Sequence, residues 1–151
     1  MTIREAKWHD VADACEALGR EHWDEASGGV AGEYKLNREL MGVLEGANML
    51  QVFIAESDAG DVVGYCIWTR DVSLETSTGN GWEMGPYFVH PAKAGACLGI
   101  KLLRHSIDAF RRDGADRVRL HHTMYGRGAR LGVLYQRLGA TEYQREYRLE
   151  L

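Results

Sequence analysis

The sequence predicts an α/β domain in which helices cover a mixed central sheet. Short runs of β-branched and aromatic residues alternate with amphipathic helical stretches, in the order β-α-α-β-β-β-α-β-α-β. No internal repeat, low-complexity segment or Ser/Pro-rich linker divides the chain, which carries two prolines in 151 residues. It reads as one domain, 1–151, long enough to bury a core without disulfide or metal staples.

The first strand is Thr2–Ala6. A helix follows in which Val11, Ala14, Cys15, Leu18 and His22 recur at spacings of three and four and share a face, until Ala26-Ser27-Gly28-Gly29 breaks it. A second helix uses Leu36, Leu40, Val43, Leu44 and Ala47 as its apolar stripe. Leu50–Ala55 and Val62–Thr69 are strands joined by the turn chemistry of Ser57-Asp58-Ala59-Gly60-Asp61, which predicts a hairpin. Ser73–Gly81 is polar and reads as a loop. Trp82–Val89 is a strand whose Pro86 withholds one backbone donor, a sign of an edge or a bulge. Simple alternation places Glu83, Gly85, Tyr87 and Val89 on one of its faces.

The strongest helical pattern is Leu98–Arg112, with Gly99, Leu102, Leu103, Ser106, Ile107 and Phe110 on one face and Gly114 just past its end. Arg117–His121 alternates as a strand does. Gly128–Leu138 carries a helical stripe of Leu131, Leu134, Tyr135 and Leu138, and Thr141–Leu151 alternates again through Tyr143, Tyr147, Leu149 and Leu151.

Composition removes several functions. No run of about 18 apolar residues is present, so a membrane span is not expected. The opening Met1-Thr2-Ile3-Arg4-Glu5 lacks a signal-peptide pattern, and a cytoplasmic location is expected. Cys15, Cys66 and Cys97 lie far apart without C-x-x-C spacing, which suits free thiols in a reducing compartment. A net charge of −4 offers nucleic acid no general attraction. His121-His122 invites a metal reading, but adjacent strand residues point to opposite faces and no carboxylate spacing accompanies them, so no metal is expected. One of the two histidines, with Trp82 and the 73–80 loop, is expected instead to line a pocket.

The stretch Tyr87-Phe88-Val89-His90-Pro91-Ala92-Lys93-Ala94-Gly95-Ala96-Cys97-Leu98-Gly99-Ile100-Lys101-Leu102-Leu103 runs from a strand through a small-residue loop into the amphipathic helix. Gly95, Ala96 and Gly99 let a ligand approach the backbone, and the first helical turn offers free N–H groups and the positive end of a dipole to phosphate. An ordinary glycine-containing connection is the alternative. The order V-x-P, small loop, glycine and paired leucine resembles the cofactor motif of the GNAT superfamily of acetyl-CoA-dependent N-acetyltransferases, whose loop reads Q/R-x-x-G-x-G/A. The opening Ile3-Arg4-Glu5-Ala6 and the late Leu134-Tyr135-Gln136-Arg137-Leu138-Gly139-Ala140 are similar to that family's first strand and its L-Y-x-x-L-G-F segment. Ala94 stands at the Gln/Arg position, Cys97 at the first glycine and Gly99 at the second, and Gly128 stands where many members have asparagine.

The resemblance implies a sheet of about six to seven strands with about four helices. It further implies acetyl-CoA held by Phe88, Val89, Lys93, Ala94, Gly95, Ala96, Cys97, Leu98, Gly99 and Lys101, largely through backbone N–H groups. Glu83 matches a glutamate that acts as base toward the acceptor amine, and Tyr135 a tyrosine that protonates the leaving sulfur. An exposed strand carboxylate and an apolar helix-face tyrosine are the plain alternatives. The implied acceptor is a small-molecule amine or a protein amine, and a homodimer stays open. The departures at Ala94, Cys97 and Gly128 keep a second reading alive, a domain of this fold without catalysis that serves as a binding or assembly module.

Overall fold

The computed structural model describes residues 1–26, 34–72, 80–90, 97–122 and 130–143. The elements run β1 (Thr2–Ala6), α1 (Trp8–Ala26), α2 (Arg38–Gly46), β2 (Leu50–Glu56), β3 (Val62–Asp71), β4 (Gly81–Val89), α3 (Leu98–Arg112), β5 (Arg117–Arg119) and α4 (Leu131–Arg137). Among the described residues they build one five-stranded sheet in the order β1-β2-β3-β4-β5. The first three pairings are antiparallel and β4 with β5 is parallel. The sheet is mixed, as the sequence predicts. It has fewer strands than six because residues 144–151 of the predicted last strand lie outside the described residues, and 141–143 are not in a strand.

Strand alternation divides the core between two faces. On one, Trp8, Val11, Cys15 and Leu18 of α1 pack on Val52, Ile54, Tyr65, Ile67 and Phe88. On the other, Leu102, Leu103 and Phe110 of α3 and Tyr135 of α4 pack on Phe53, Cys66, Trp68, Trp82 and Met84. Trp82 stacks on Phe110 with centroids 4.9 Å apart. It is a core residue, so its predicted place by an acceptor pocket is not where its side chain goes.

The α2 stripe also needs correction. Leu40 and Val43 are exposed, and Met41 and Leu44 are the residues that turn to the core. Periodicity located the helix but assigned the wrong face, because Leu36 packs from the segment before it, ahead of the Asn37 cap whose side chain accepts the Leu40 N–H at 3.0 Å. α3 runs over the residues predicted and closes as the turn at Gly114 requires. Gly114 has φ +77°, and the N–H groups of Gly114 and Ala115 bond back to Arg111 and Phe110 at 3.2 and 2.9 Å.

Pro86 does mark a bulge. In the β3–β4 ladder Cys66 faces Tyr87 and Trp68 faces Met84, so Gly85 and Pro86 together oppose Ile67 alone. The extra residue inverts the alternation. Trp82 and Met84 face α3 before it, Tyr87 and Val89 face α3 after it, and Phe88 faces α1. Glu83 therefore lies on the α1 face, opposite Tyr87 and Val89, and the single face predicted for the four residues is split in two.

Candidate functional site

β5 pairs with β4 only at Gly81–Glu83, so beyond Glu83 the outer edge of β4 carries no strand among the described residues. The His90 N–H donates to the Val63 carbonyl at 2.9 Å. By the alternation of an antiparallel ladder, Phe88 then exchanges bonds with Tyr65, while the Val89 N–H points away from β3 onto that open edge. Of Phe88 and Val89, both expected to offer a backbone N–H to the cofactor, Val89 has the outward donor. Phe88 is a core residue on the α1 side.

The edge leads to the N-terminus of α3. Cys97 is the cap residue there, exposed and at φ +71°, and its side chain caps nothing. The first intrahelical bond is from the Lys101 N–H to the Cys97 carbonyl at 3.1 Å, and among the described residues the N–H groups of the first turn meet no cap from the Cys97 side chain. Leu98 is 4% exposed and packs with Ala55 and Val63, which leaves it only backbone to offer a ligand. Lys101 is exposed one turn in. Gly99 is crowded from an unforeseen side. A Cβ there would sit 2.3 Å from the Tyr87 hydroxyl, so its bareness makes room first for the protein's own phenol. Lys93, Ala94, Gly95 and Ala96 lie outside the described residues.

On the α1 face, Glu83 Oε1 accepts from His121 Nε2 at 2.8 Å, with the two side chains 38% and 47% exposed. Glu83 faces Arg119 in the ladder, and Arg117 and Arg119 both meet Asp71, 6% exposed, at 3.0 and 3.2 Å. That shared carboxylate fastens β5 to the end of β3, and the chain then delivers His121 two residues past β5. The β5 strand is shorter than the predicted Arg117–His121, because His121 turns to these side-chain contacts after the strand has ended.

Tyr135 is 5% exposed, and its hydroxyl donates to the His121 carbonyl at 2.8 Å. Burial pushes its phenol well above the usual range, with the nearby Tyr87 and Cys66 adding to this. The proton therefore stays on oxygen at neutral pH, and the group serves as a hydrogen-bond donor. The His122 ring lies edge-on to Tyr135, with centroids 6.1 Å apart. The predicted pair Glu83 and Tyr135 thus meets through a residue the sequence did not single out for this. His121 binds one by its ring and the other by its carbonyl. Among the described residues, no group of three or more His, Cys, Asp or Glu gathers as a metal would need. No helix there is long and apolar enough to cross a membrane.

The model of the acetyltransferase (GNAT) family matches residues 8–140. No curated protein sequence matches this one. Among solved structures, a tetramutant of a Bacillus halodurans protein is 17% identical with TM-score 0.74, covering all of both chains. A ribosomal-protein-alanine N-acetyltransferase from Brucella melitensis biovar Abortus 2308 is 14% identical with TM-score 0.73, again over all of both chains. An aminoglycoside N-acetyltransferase in complex with CoA is 16% identical with TM-score 0.67, covering 99% of this chain and 100% of that one. Likenesses at this identity concern the fold.

Proposed function

Because the chain belongs to the acetyltransferase (GNAT) family, matched over residues 8–140, we propose that it transfers acetyl from acetyl-CoA directly to an amine, without an acyl-enzyme. The observation that carries this reading is the short path from the outward Val89 N–H on the β4 edge to the first turn of α3, where a Cβ at Gly99 would lie 3.8 Å from the Val89 side chain. Such a path suits a ligand with amide groups along its length and an anionic end. Val89, Cys97, Leu98 and Gly99 would hold it by backbone, with Lys101 adding charge, and Lys93–Ala96 complete the segment between them. When bound, acetyl-CoA supplies the acetyl group as an activated thioester.

The residues of the chain divide the remaining work. A primary amine is protonated at neutral pH and must lose a proton before it attacks. Glu83, on the α1 face, is the anionic group on the amine side. The Val89 N–H would polarise the thioester carbonyl as an oxyanion donor. Tyr135, holding its proton, would stabilise the departing thiolate by turning its single O–H from the His121 carbonyl to the sulfur. The acceptor is a small-molecule amine or a protein amine, and the site acts in the cytoplasm.

The direct test is a melting curve with acetyl-CoA, since a ligand selective for the folded state raises the melting temperature by mass action. No shift at millimolar acetyl-CoA would leave the non-catalytic module standing, a reading favoured by the Tyr87 hydroxyl over Gly99. With an acceptor found by screening amines and peptides for CoA release, Tyr135→Phe should lower kcat more than it raises the KM for acetyl-CoA. Its loss should be near the low end of the roughly 10²- to 10⁴-fold range for proton-transfer groups, because water can also reach the sulfur.

A further inference from the structure

Glu83 is the carboxylate that the reading above puts on the amine side, yet one of its oxygens is engaged by His121 at 2.8 Å. A carboxylate can only accept, so the bond is donated by the Nε2–H of the ring. In the neutral imidazole this fixes the tautomer and leaves the lone pair on Nδ1. The side chain is 47% exposed, so an acceptor amine can reach it.

The two residue types differ in what they do well. A carboxylate ordinarily titrates near pH 4.3 and an imidazole near 6.5, so imidazole is the better base toward an ammonium at neutral pH. Glu83 opposite the ring then stabilises the imidazolium that forms. The charged and titratable groups facing this pair come from three elements. Arg119 of β5 lies opposite Glu83 in the ladder and is itself held by Asp71 of β3, as is Arg117. Tyr135 of α4 reaches the His121 carbonyl, and His122 follows in the chain.

We propose that His121 is the proton acceptor for the amine, with Glu83 as the residue that orients its ring. This rests on the transferase reading above and changes which residue touches the substrate. In the step, the amine lone pair forms the N–C bond to the thioester carbonyl and the C–S bond breaks with its electron pair on sulfur. The ammonium's first proton passes to His121 Nδ1 and on to water before attack, and the proton left in surplus on nitrogen after attack follows the same route. The thiolate, reached by the single Tyr135 O–H as it leaves the His121 carbonyl, takes a proton from water, and the imidazolium returns its own to water. The same residue thereby couples the two halves of the reaction, since its backbone carbonyl holds the Tyr135 O–H until the thiolate takes it over.

The test combines the free protein with kinetics. Nitrogen NMR of the protein without ligand should find His121 as the Nε2–H tautomer, and Glu83→Gln should mix the tautomers. A wild-type His121 carrying its proton on Nδ1 overturns the proposal without reference to activity. His121→Gln keeps a donor to Glu83 and the backbone carbonyl to Tyr135 but cannot accept a proton. It should lower kcat about 10²- to 10⁴-fold, with the acetyl-CoA melting shift retained. Glu83→Gln should cost less, and added imidazole should restore part of the rate of His121→Ala but none of that of Glu83→Gln. A His121→Gln variant within about threefold of wild type, or a larger loss in Glu83→Gln, makes the carboxylate the base and overturns the proposal. Wild-type protein that shifts with acetyl-CoA and releases CoA while His121→Gln does so equally well sinks this proposal alone. Wild-type protein that does neither sinks the transferase reading and this one with it.

Discussion

Cys97 is where a single residue departs most from what its position asks. A side chain at φ +71° meets the clash that disfavours left-handed backbone, worth about 1–2 kcal/mol, which glycine avoids at an entropic cost of about 0.5–1 kcal/mol. Cys97→Gly should therefore raise stability by a net of roughly 0.5–1 kcal/mol in urea melts, whereas Cys97→Ala, keeping a Cβ, should gain nothing. The thiols also sort by reactivity. Cys15 and Cys66 are fully buried, and burial alone pushes Cys15 up to about 12. Alkylation mapped by mass spectrometry should mark Cys97 and spare the other two in the native protein. CoA should protect Cys97, and equal labelling with and without CoA would place the cofactor away from α3. That Cys97 sits at a helix start was legible from its place between a small-residue loop and a strong amphipathic run. Its left-handed backbone was legible only through the family resemblance, because a cysteine carries no local signal for positive φ.

At the scale of the element, the β4 bulge decides the site. Alternation by twos is a sound rule until an extra residue enters, and Pro86 signalled the irregularity without saying which side chains it would turn over. Counting through it moved Glu83 from the company of Tyr87 to that of Thr69, Arg119 and His121. The strand and helix spans from Thr2 to Arg112 were read closely because their periodicity reflects burial on a sheet or a helix face. β5 was overextended because its last two residues obey side-chain contacts. The His121 link could have been suspected only from a histidine placed just past a strand beside a carboxylate strand.

Two substitutions test these elements. Asp71→Asn removes the one carboxylate shared by Arg117 and Arg119, which are themselves about a third exposed. Solvent screening discounts the loss below that of a fully buried pair, to about 1–3 kcal/mol in urea melts. The Glu83–His121 contact, fed by β5, should loosen with it. Gly99→Ala forces a methyl against the Tyr87 hydroxyl and should cost about 1–3 kcal/mol, and the cost should shrink in a Tyr87→Phe background. Equal costs in the two backgrounds would mean that the phenol is not what Gly99 accommodates.

For the molecule as a whole, the buried phenols and thiols set an alkaline limit. Burial raises Tyr65, Tyr87, Tyr135, Cys15 and Cys66 above their ordinary values. These groups keep their protons in the fold at a pH where the unfolded chain releases them. Their contribution is intact below the unfolded values and is lost as pH rises above about 9. Urea midpoints should fall between pH 8 and 10.5, and Tyr65→Phe should flatten that fall. The edge of β4 beyond Glu83, open among the described residues, has a consequence of another kind. A row of outward backbone groups is a template on which a strand from a second molecule can add, and the bulge with its donorless proline is what spoils the fit. Pro86→Val should give that border back a backbone donor, while the extra residue keeps the bulge. The variant should then turn turbid on mild heating sooner than the parent, and acetyl-CoA lying along that border should delay it.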